Sequence, residues 1–175
     1  NMKHFYIIVN EGKTDAVDMK LSIVEYLESK GAACKASSGN FSKGCPFTFV
    51  GDVPPETECV ITLGGDGTLI RAARDLAGSG LPIIGINMGT LGYLTQMGRE
   101  GDPKELLDAL LEDRYEIHER MMLRGRVFHN DECIYQYYDV PEHEWYAMKN
   151  TYSMDLYFNM QGPCANSRLN VSVRE

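Results

Sequence analysis

The sequence predicts a three-layer α/β domain built on a mostly parallel sheet, and three features carry that expectation. Short, continuous apolar runs at Phe5–Val9, Val60–Leu63 and Ile83–Ile86 have the length and character of strands buried on both faces. Stretches with helical periodicity alternate with them, and a strand–helix–strand rhythm calls for parallel pairing with helices on the sheet faces. Glycine turns, Gly64-Gly65 and Met88-Gly89, stand at the ends of the second and third runs, where a chain leaving a buried strand must change direction sharply.

In chain order, Phe5–Val9 is the first strand and Asn10-Glu11-Gly12-Lys13 the turn after it. This turn reads either as a solvated connection or as a ligand contact at the carboxyl edge of the sheet. Thr14 or Asp15 is placed to cap a helix whose apolar stripe is Val17, Leu21, Val24 and Leu27, with Ile23 alongside, and Lys30-Gly31 ends it. Ala32–Lys35 is a short second strand and Ser37–Lys43 a polar loop. Phe47–Val50 is apolar but surrounded by Pro46, Pro54 and Pro55, so an irregular or edge segment is expected. After the strand at Val60–Leu63, a helix runs from Leu69 through Arg74 to Ala77, burying Leu69, Ala72, Ala73 and Leu76. Asp102-Pro103 opens a further helix with Leu106, Leu107, Leu110 and Leu111 as its core stripe. Tyr115–Val127 then alternates in part and reads as a long strand, with His118 on its surface.

Composition narrows the function. A formal net charge of -8 argues against a general binder of nucleic acid or anionic membrane. The five cysteines show no C-x-x-C spacing, a pattern expected of reduced thiols in the cytoplasm rather than a disulfide frame or zinc site. No stretch reaches transmembrane length, and Asn1–Phe5 leads into a strand with no signal-peptide core.

The chemistry concentrates in Cys59–Thr95, CVITLGGDGTLIRAARDLAGSGLPIIGINMGTLGYLT. Glycines there let backbone N–H groups approach a phosphate closely, and the helix that follows contributes its positive end. Thr68 falls at a cap or first-turn position. Asp66 is a carboxylate in a turn shaped for anions. It either caps the helix, or faces phosphates, where an acid holds Mg²⁺ or takes a proton from an attacking hydroxyl. Arg71, one turn further on, is a solvated helix arginine or a phosphate contact. Tyr93 stacks on a base or packs in the core.

These residues carry a family resemblance. GGDGT between an apolar strand and a helix resembles the signature of NAD kinases, of diacylglycerol and sphingosine kinases and, more loosely, of phosphofructokinases. The second turn separates them: Gly85–Thr95, GINMGTLGYLT, is similar to the GINxGxLGFL segment of NAD kinases, and no GTGNDFAR-like stretch of the lipid kinases is present. The resemblance runs from about Phe5 to about Ile134. It implies a Rossmann-like nucleotide domain and ATP-dependent phosphorylation of the 2′-hydroxyl of the adenosine ribose of NAD, giving NADP. Asp66 would be the general base, Gly64, Gly65, Gly67 and Thr68 would form the nucleotide-binding turn, and Arg71 and Tyr93 would contact nucleotide. Mg²⁺ or another divalent cation would accompany ATP. Members of the family form homo-oligomers largely through a second domain.

Past Ile134 the resemblance stops. Tyr135–Glu175 is rich in Tyr, Met, Asn and Glu, and contains neither an ALNE-like nor a TPTGSTAY-like segment. Asn130-Asp131-Glu132 is acidic but lacks the preceding apolar strand, so the ALNE role is not carried onto it. Ser153–Phe158 alternates as one short strand. The expected organisation is a nucleotide-binding α/β domain over residues 2–114, a strand over 115–134 leading toward a second β domain, and an atypical tail over 135–175 in a chain that is truncated or carries a replaced end. An inactive nucleotide-binding remnant of an NAD kinase is the alternative function.

Overall fold

The computed structural model describes residues 1–12, 15–39, 42, 46–89, 94–96, 102–129, 132–141, 157–161 and 167–173, with side chains through residue 119. The chain forms two units, Asn1–His118 with Leu169–Glu175, and Glu119–Arg168.

The first unit is the α/β layer structure that the alternation of runs predicts. Its strands are β1 (His4–Val9), β2 (Ala33–Ser38), β3 (Cys59–Gly64) and β4 (Ile83–Asn87), with helices α1 (Ala16–Ser29), α2 (Asp66–Asp75) and α3 (Pro103–Leu111). The strands are parallel in the order β2-β1-β3-β4. Alternation along each strand divides the core. Phe5, Ile7, Val9, Ile61, Leu63, Ile84 and Ile86 pack with α1 and α3 on one face. Tyr6, Ile8, Val60 and Ile83 pack with α2 on the other. Each fully buried Ile or Leu contributes about 1.5–3 kcal/mol, so both faces are strongly specified.

Several elements differ in detail from the sequence expectation. Val17 and Leu21 are 43% and 53% exposed, whereas Ala16, Ile23 and Leu27 form the buried face of α1. The two candidate stripes overlap, and the sheet selects the one in which small Ala16 permits close approach. β2 extends to Ser38, into the expected loop, because β1 supplies pairing partners as far as Val9↔Ser38. Phe47–Val50 is irregular, as expected, yet Phe47 is buried while Phe49 and Val50 are half-exposed and a short 3₁₀ turn spans Val50–Asp52. The Asp75 carboxylate holds this segment by accepting from Phe47 N at 2.6 Å and Thr48 N at 3.1 Å.

Helix ends follow local chemistry. Gly31 at φ 77 closes α1, with Gly31 N donating to Glu28 O at 2.9 Å and Ala32 N to Leu27 O at 3.0 Å. Asp15 precedes α1 in the left-handed region and its side chain makes no capping hydrogen bond; Thr14 lies outside the described residues. Asp102 caps α3 by accepting from Lys104 N at 2.9 Å, and Pro103 takes the first helical position.

β5 (Tyr115–His129) runs into the second unit, where it pairs antiparallel with β6 (Glu132–Pro141) and β7 (Tyr157–Gln161). In the first unit, Asn170 of β8 (Ser167–Val173) pairs in parallel with Ile83. Part of the Ser153–Phe158 stretch lies outside the described residues, and the strand found there begins at Tyr157. No described helix is long and apolar enough to cross a membrane. Of the cysteines, Cys59 is buried and its thiol pushed well above the ordinary range by desolvation; burial pushes Cys34 up to about 12.

Glu58 generates a prediction. Its Oε2 accepts from Lys3 N at 2.6 Å, His4 N at 2.9 Å and His4 Nδ1 at 3.2 Å, tying the start of β1 to the approach to β3. The Lys3 amide, foremost among these donors, holds the carboxyl below the usual glutamate range. A depressed folded-state pKa means that the stabilisation is present at neutral pH and is lost as pH falls through that pKa. Glu58→Ala should therefore melt below the wild type at pH 7, and the two melting temperatures should converge in acid. A difference that stays constant with pH would show that the carboxylate charge is not involved.

Candidate functional site

The site grows from the carboxyl end of β3. The chain reverses at Gly64-Gly65, and α2 starts at Asp66, earlier than the Leu69 start expected from periodicity. Gly65 is the N-cap residue, so Asp66 is not a cap. Thr68, 5% exposed, accepts from Gly65 N at 3.4 Å and from Asn10 Nδ2 at 3.4 Å, and Asn10 Oδ1 in turn accepts from Gly12 N at 3.1 Å. The turn after β1 is thereby tied to the turn after β3. These strands flank the point where the order of the sheet reverses, which is where open α/β sheets bind ligands.

The glycines of the turn fall into two kinds. At Gly64 a Cβ would lie 2.1 Å from Thr68 Oγ1, so packing demands glycine. At Gly65 and Gly67 an added Cβ would meet no described atom within 4 Å, and neither has a positive φ. Neither packing against the described residues nor backbone conformation accounts for these two. Gly65 is the N-cap and Gly67 lies in the first turn of α2, a helix start whose leading amides precede the first intrahelical hydrogen bond, Thr68 N to Gly65 O at 3.0 Å, and whose dipole favours an anion.

The turn after β4 closes over the same edge. Gly64 is registered opposite Asn87, and Met88 N donates to Gly64 O at 2.6 Å. Asn87, buried, accepts from Gly89 N at 2.9 Å and donates from Nδ2 to Thr95 Oγ1 at 3.3 Å. Gln96 N donates to Gly85 O at 2.9 Å. Leu94 N donates to Asp66 Oδ1 at 3.2 Å, bringing both motifs onto one carboxylate.

The structure thus brings together Gly64, Gly65, Asp66, Gly67 and Thr68 at one sheet edge. Arg71 is exposed on α2, one turn beyond Gly67 on the same helix face. Tyr93 and Lys13 lie outside the described residues. Sequence reasoning singled out neither Thr95 nor the Leu94 amide. Their signal was faint: a threonine at the end of an apolar segment, and a backbone donor whose direction only folding sets. No cluster of three or more His, Cys, Asp or Glu that would hold a metal occurs among the described residues.

The family profile described as the ATP-NAD kinase N-terminal domain matches residues 5–115. The chain belongs to the NAD kinase family. The NAD kinase of Lachnospira eligens is 46% identical over 138 residues, covering 77% of this chain and 46% of the relative. That of Agathobacter rectalis is 39% identical over 125 residues, covering 71% and 44%. The chain thus spans about half the length of the NAD kinases it matches. A crystal structure of yeast NADH kinase complexed with NADH superposes with a TM-score of 0.54 at 12% identity, covering 96% of this chain and 69% of that one, a likeness of fold.

A turn packed this tightly should not accept a methyl group at Gly64. Gly64→Ala forces Thr68 to rotate away from Gly65 N and Asn10, at a cost of about 1–3 kcal/mol. Chemical denaturation measures it, and an unchanged midpoint would show that the turn relaxes without loss.

Proposed function

We propose that this chain supplies the catalytic nucleotide domain of an NAD kinase, transferring the γ-phosphoryl group of ATP to the 2′-hydroxyl of the adenosine ribose of NAD. The observation that carries this reading is the pairing of Asp66 with Gly65 and Gly67, a carboxylate at a helix start whose neighbouring glycines leave open space.

Phosphoryl transfer depends on positioning and charge neutralisation more than on covalent chemistry. In the proposed step the 2′-oxygen forms a bond to the γ-phosphorus as the bond to the bridging oxygen breaks. ADP leaves with that electron pair, and the hydroxyl proton passes to Asp66. A carboxylate in hydrogen-bond reach is suited to this, because a ribose hydroxyl becomes a competent nucleophile only as its proton departs. Gly64 and Thr68 fix the turn, and the amides of the first turn of α2 face phosphate where Gly65 and Gly67 allow close approach. Arg71 contacts nucleotide phosphate, and Tyr93 the base. A divalent cation, Mg²⁺ above all, is implied by ATP rather than by a ligand cluster among the described residues, since Mg²⁺ is commonly held in large part by substrate phosphates. Bound with ATP, it would offset phosphate charge. The site acts in the cytoplasm on ATP and NAD, without nucleic acid or membrane as partner.

A second reading, nucleotide binding without turnover, is favoured by the tail over 135–175, whose Tyr-, Met-, Asn- and Glu-rich sequence departs from the family pattern. NADP formation from ATP, Mg²⁺ and NAD decides between them. Asp66→Asn should abolish nearly all turnover while the chain stays folded; near-normal activity in that variant removes Asp66 from the base role.

The open glycines give a separate test. Gly67→Ala should hold or raise stability by up to about 1 kcal/mol, through helix propensity. It should also weaken ATP binding measured by calorimetry. Undiminished affinity would sink the assignment of this turn to phosphate.

A further inference from the structure

The segment after β4 is anchored in a way that bears on Asp66. Thr95 is 6% exposed, and its Cγ2 would lie 2.8 Å from a Cβ at Gly85, so the missing side chain of that strand residue makes the space that Thr95 fills. Its Oγ1 accepts from Asn87 Nδ2 at 3.3 Å. The next residue, Gln96, hydrogen bonds through its amide to Gly85 O at 2.9 Å. The preceding residue, Leu94, directs its amide to Asp66 Oδ1 at 3.2 Å. Wedging, a side-chain hydrogen bond and a backbone hydrogen bond thus fix the backbone on one side of Leu94, and the amide so fixed meets the carboxylate.

We infer that Thr95 is a positioning residue for Asp66. Seated against Gly85 and Asn87, it aims the Leu94 N–H at Asp66 Oδ1 and so sets the rotation of the carboxylate about its side-chain bonds. The consequence for turnover rests on the reading of Asp66 as general base. A base must meet its proton along a defined direction, and misplacement by a fraction of a hydrogen-bond length lowers the rate while leaving binding nearly intact. Thr95 touches neither reacting atom in this account; it acts through a backbone amide.

The test uses the full chain, ¹⁵N-labelled, as wild type, Asp66→Asn, Thr95→Val and Thr95→Ser. Thr95→Val keeps the shape of the wedge and loses its hydrogen bond to Asn87; Thr95→Ser keeps the bond. In Thr95→Val the Leu94 amide should exchange with solvent about fivefold faster, the loss of roughly one neutral hydrogen bond. Its resonance should also move toward its position in Asp66→Asn. Thr95→Ser, which keeps the hydrogen bond but lacks the Cγ2 seated at Gly85, should lie between wild type and Thr95→Val in both. In NADP formation, Thr95→Val should lower kcat about tenfold or more with KM for NAD little changed, and Thr95→Ser should restore part of kcat. A Leu94 amide that is the same in wild type, Asp66→Asn and Thr95→Val overturns the inference. So does a kcat in Thr95→Val equal to that of wild type. A wild-type chain with no turnover would instead count against the kinase reading of this chain, and the amide measurements would still decide whether Thr95 positions Asp66.

Discussion

The parallel register that sets Gly64 opposite Asn87 is the constraint on which the site depends. It brings the ends of β3 and β4 level, so that two turns more than twenty residues apart in sequence meet over one edge. Buried apolar side chains on both faces hold that register. A slip by one residue would exchange Ile61 and Leu63 with Val60 and Thr62 between layers built for different helices. The turns therefore inherit their precision from the core. Met88 N and Gly64 O, 2.6 Å apart, then join the two turns directly.

Around this edge the structure separates residues that hold shape from those that leave room. Gly64 and Gly85 are glycines because threonines, Thr68 and Thr95, occupy the volume that a side chain would need. Each of these threonines engages an asparagine at the end of a neighbouring strand through its hydroxyl, Asn10 just past β1 in one case and Asn87 of β4 in the other. Gly65 and Gly67 do the opposite, keeping space open at the start of α2. A motif that reads as one glycine-rich string thus contains two physical roles, one forced by packing and one that packing against the described residues leaves open. Asp66 stands between them, held by the Leu94 amide and placed where the helix dipole and the open space coincide.

Much of the architecture was legible in the sequence because burial on both faces leaves uninterrupted apolar runs. Phe5–Val9, Val60–Leu63 and Ile83–Ile86 each lie within a strand of the parallel sheet. The stripe of α1 was misread, since Val17 and Leu21 satisfy helical spacing as well as Ala16 and Ile23 do, and only the surface of the sheet chooses between them. The start of α2 was placed too late for a related reason. Gly65, Asp66 and Gly67 are poor helix formers by propensity, and it is their place between a fixed strand end and the buried Leu69 that makes them helical.

By itself the sequence determined the order of strands and helices from β1 to β5, the burial of the central strands on both faces, and the family to which GGDGT and GINMGTLGYLT belong. These are properties of local pattern, and local pattern survives without coordinates. Tertiary structure decided which turns meet, which glycines are forced by packing and which are open, and which backbone amide reaches Asp66. The reason is geometric. The Leu94 hydrogen bond spans 28 positions of sequence, and its direction is set by the seating of Thr95 against a strand that the sequence separates from it.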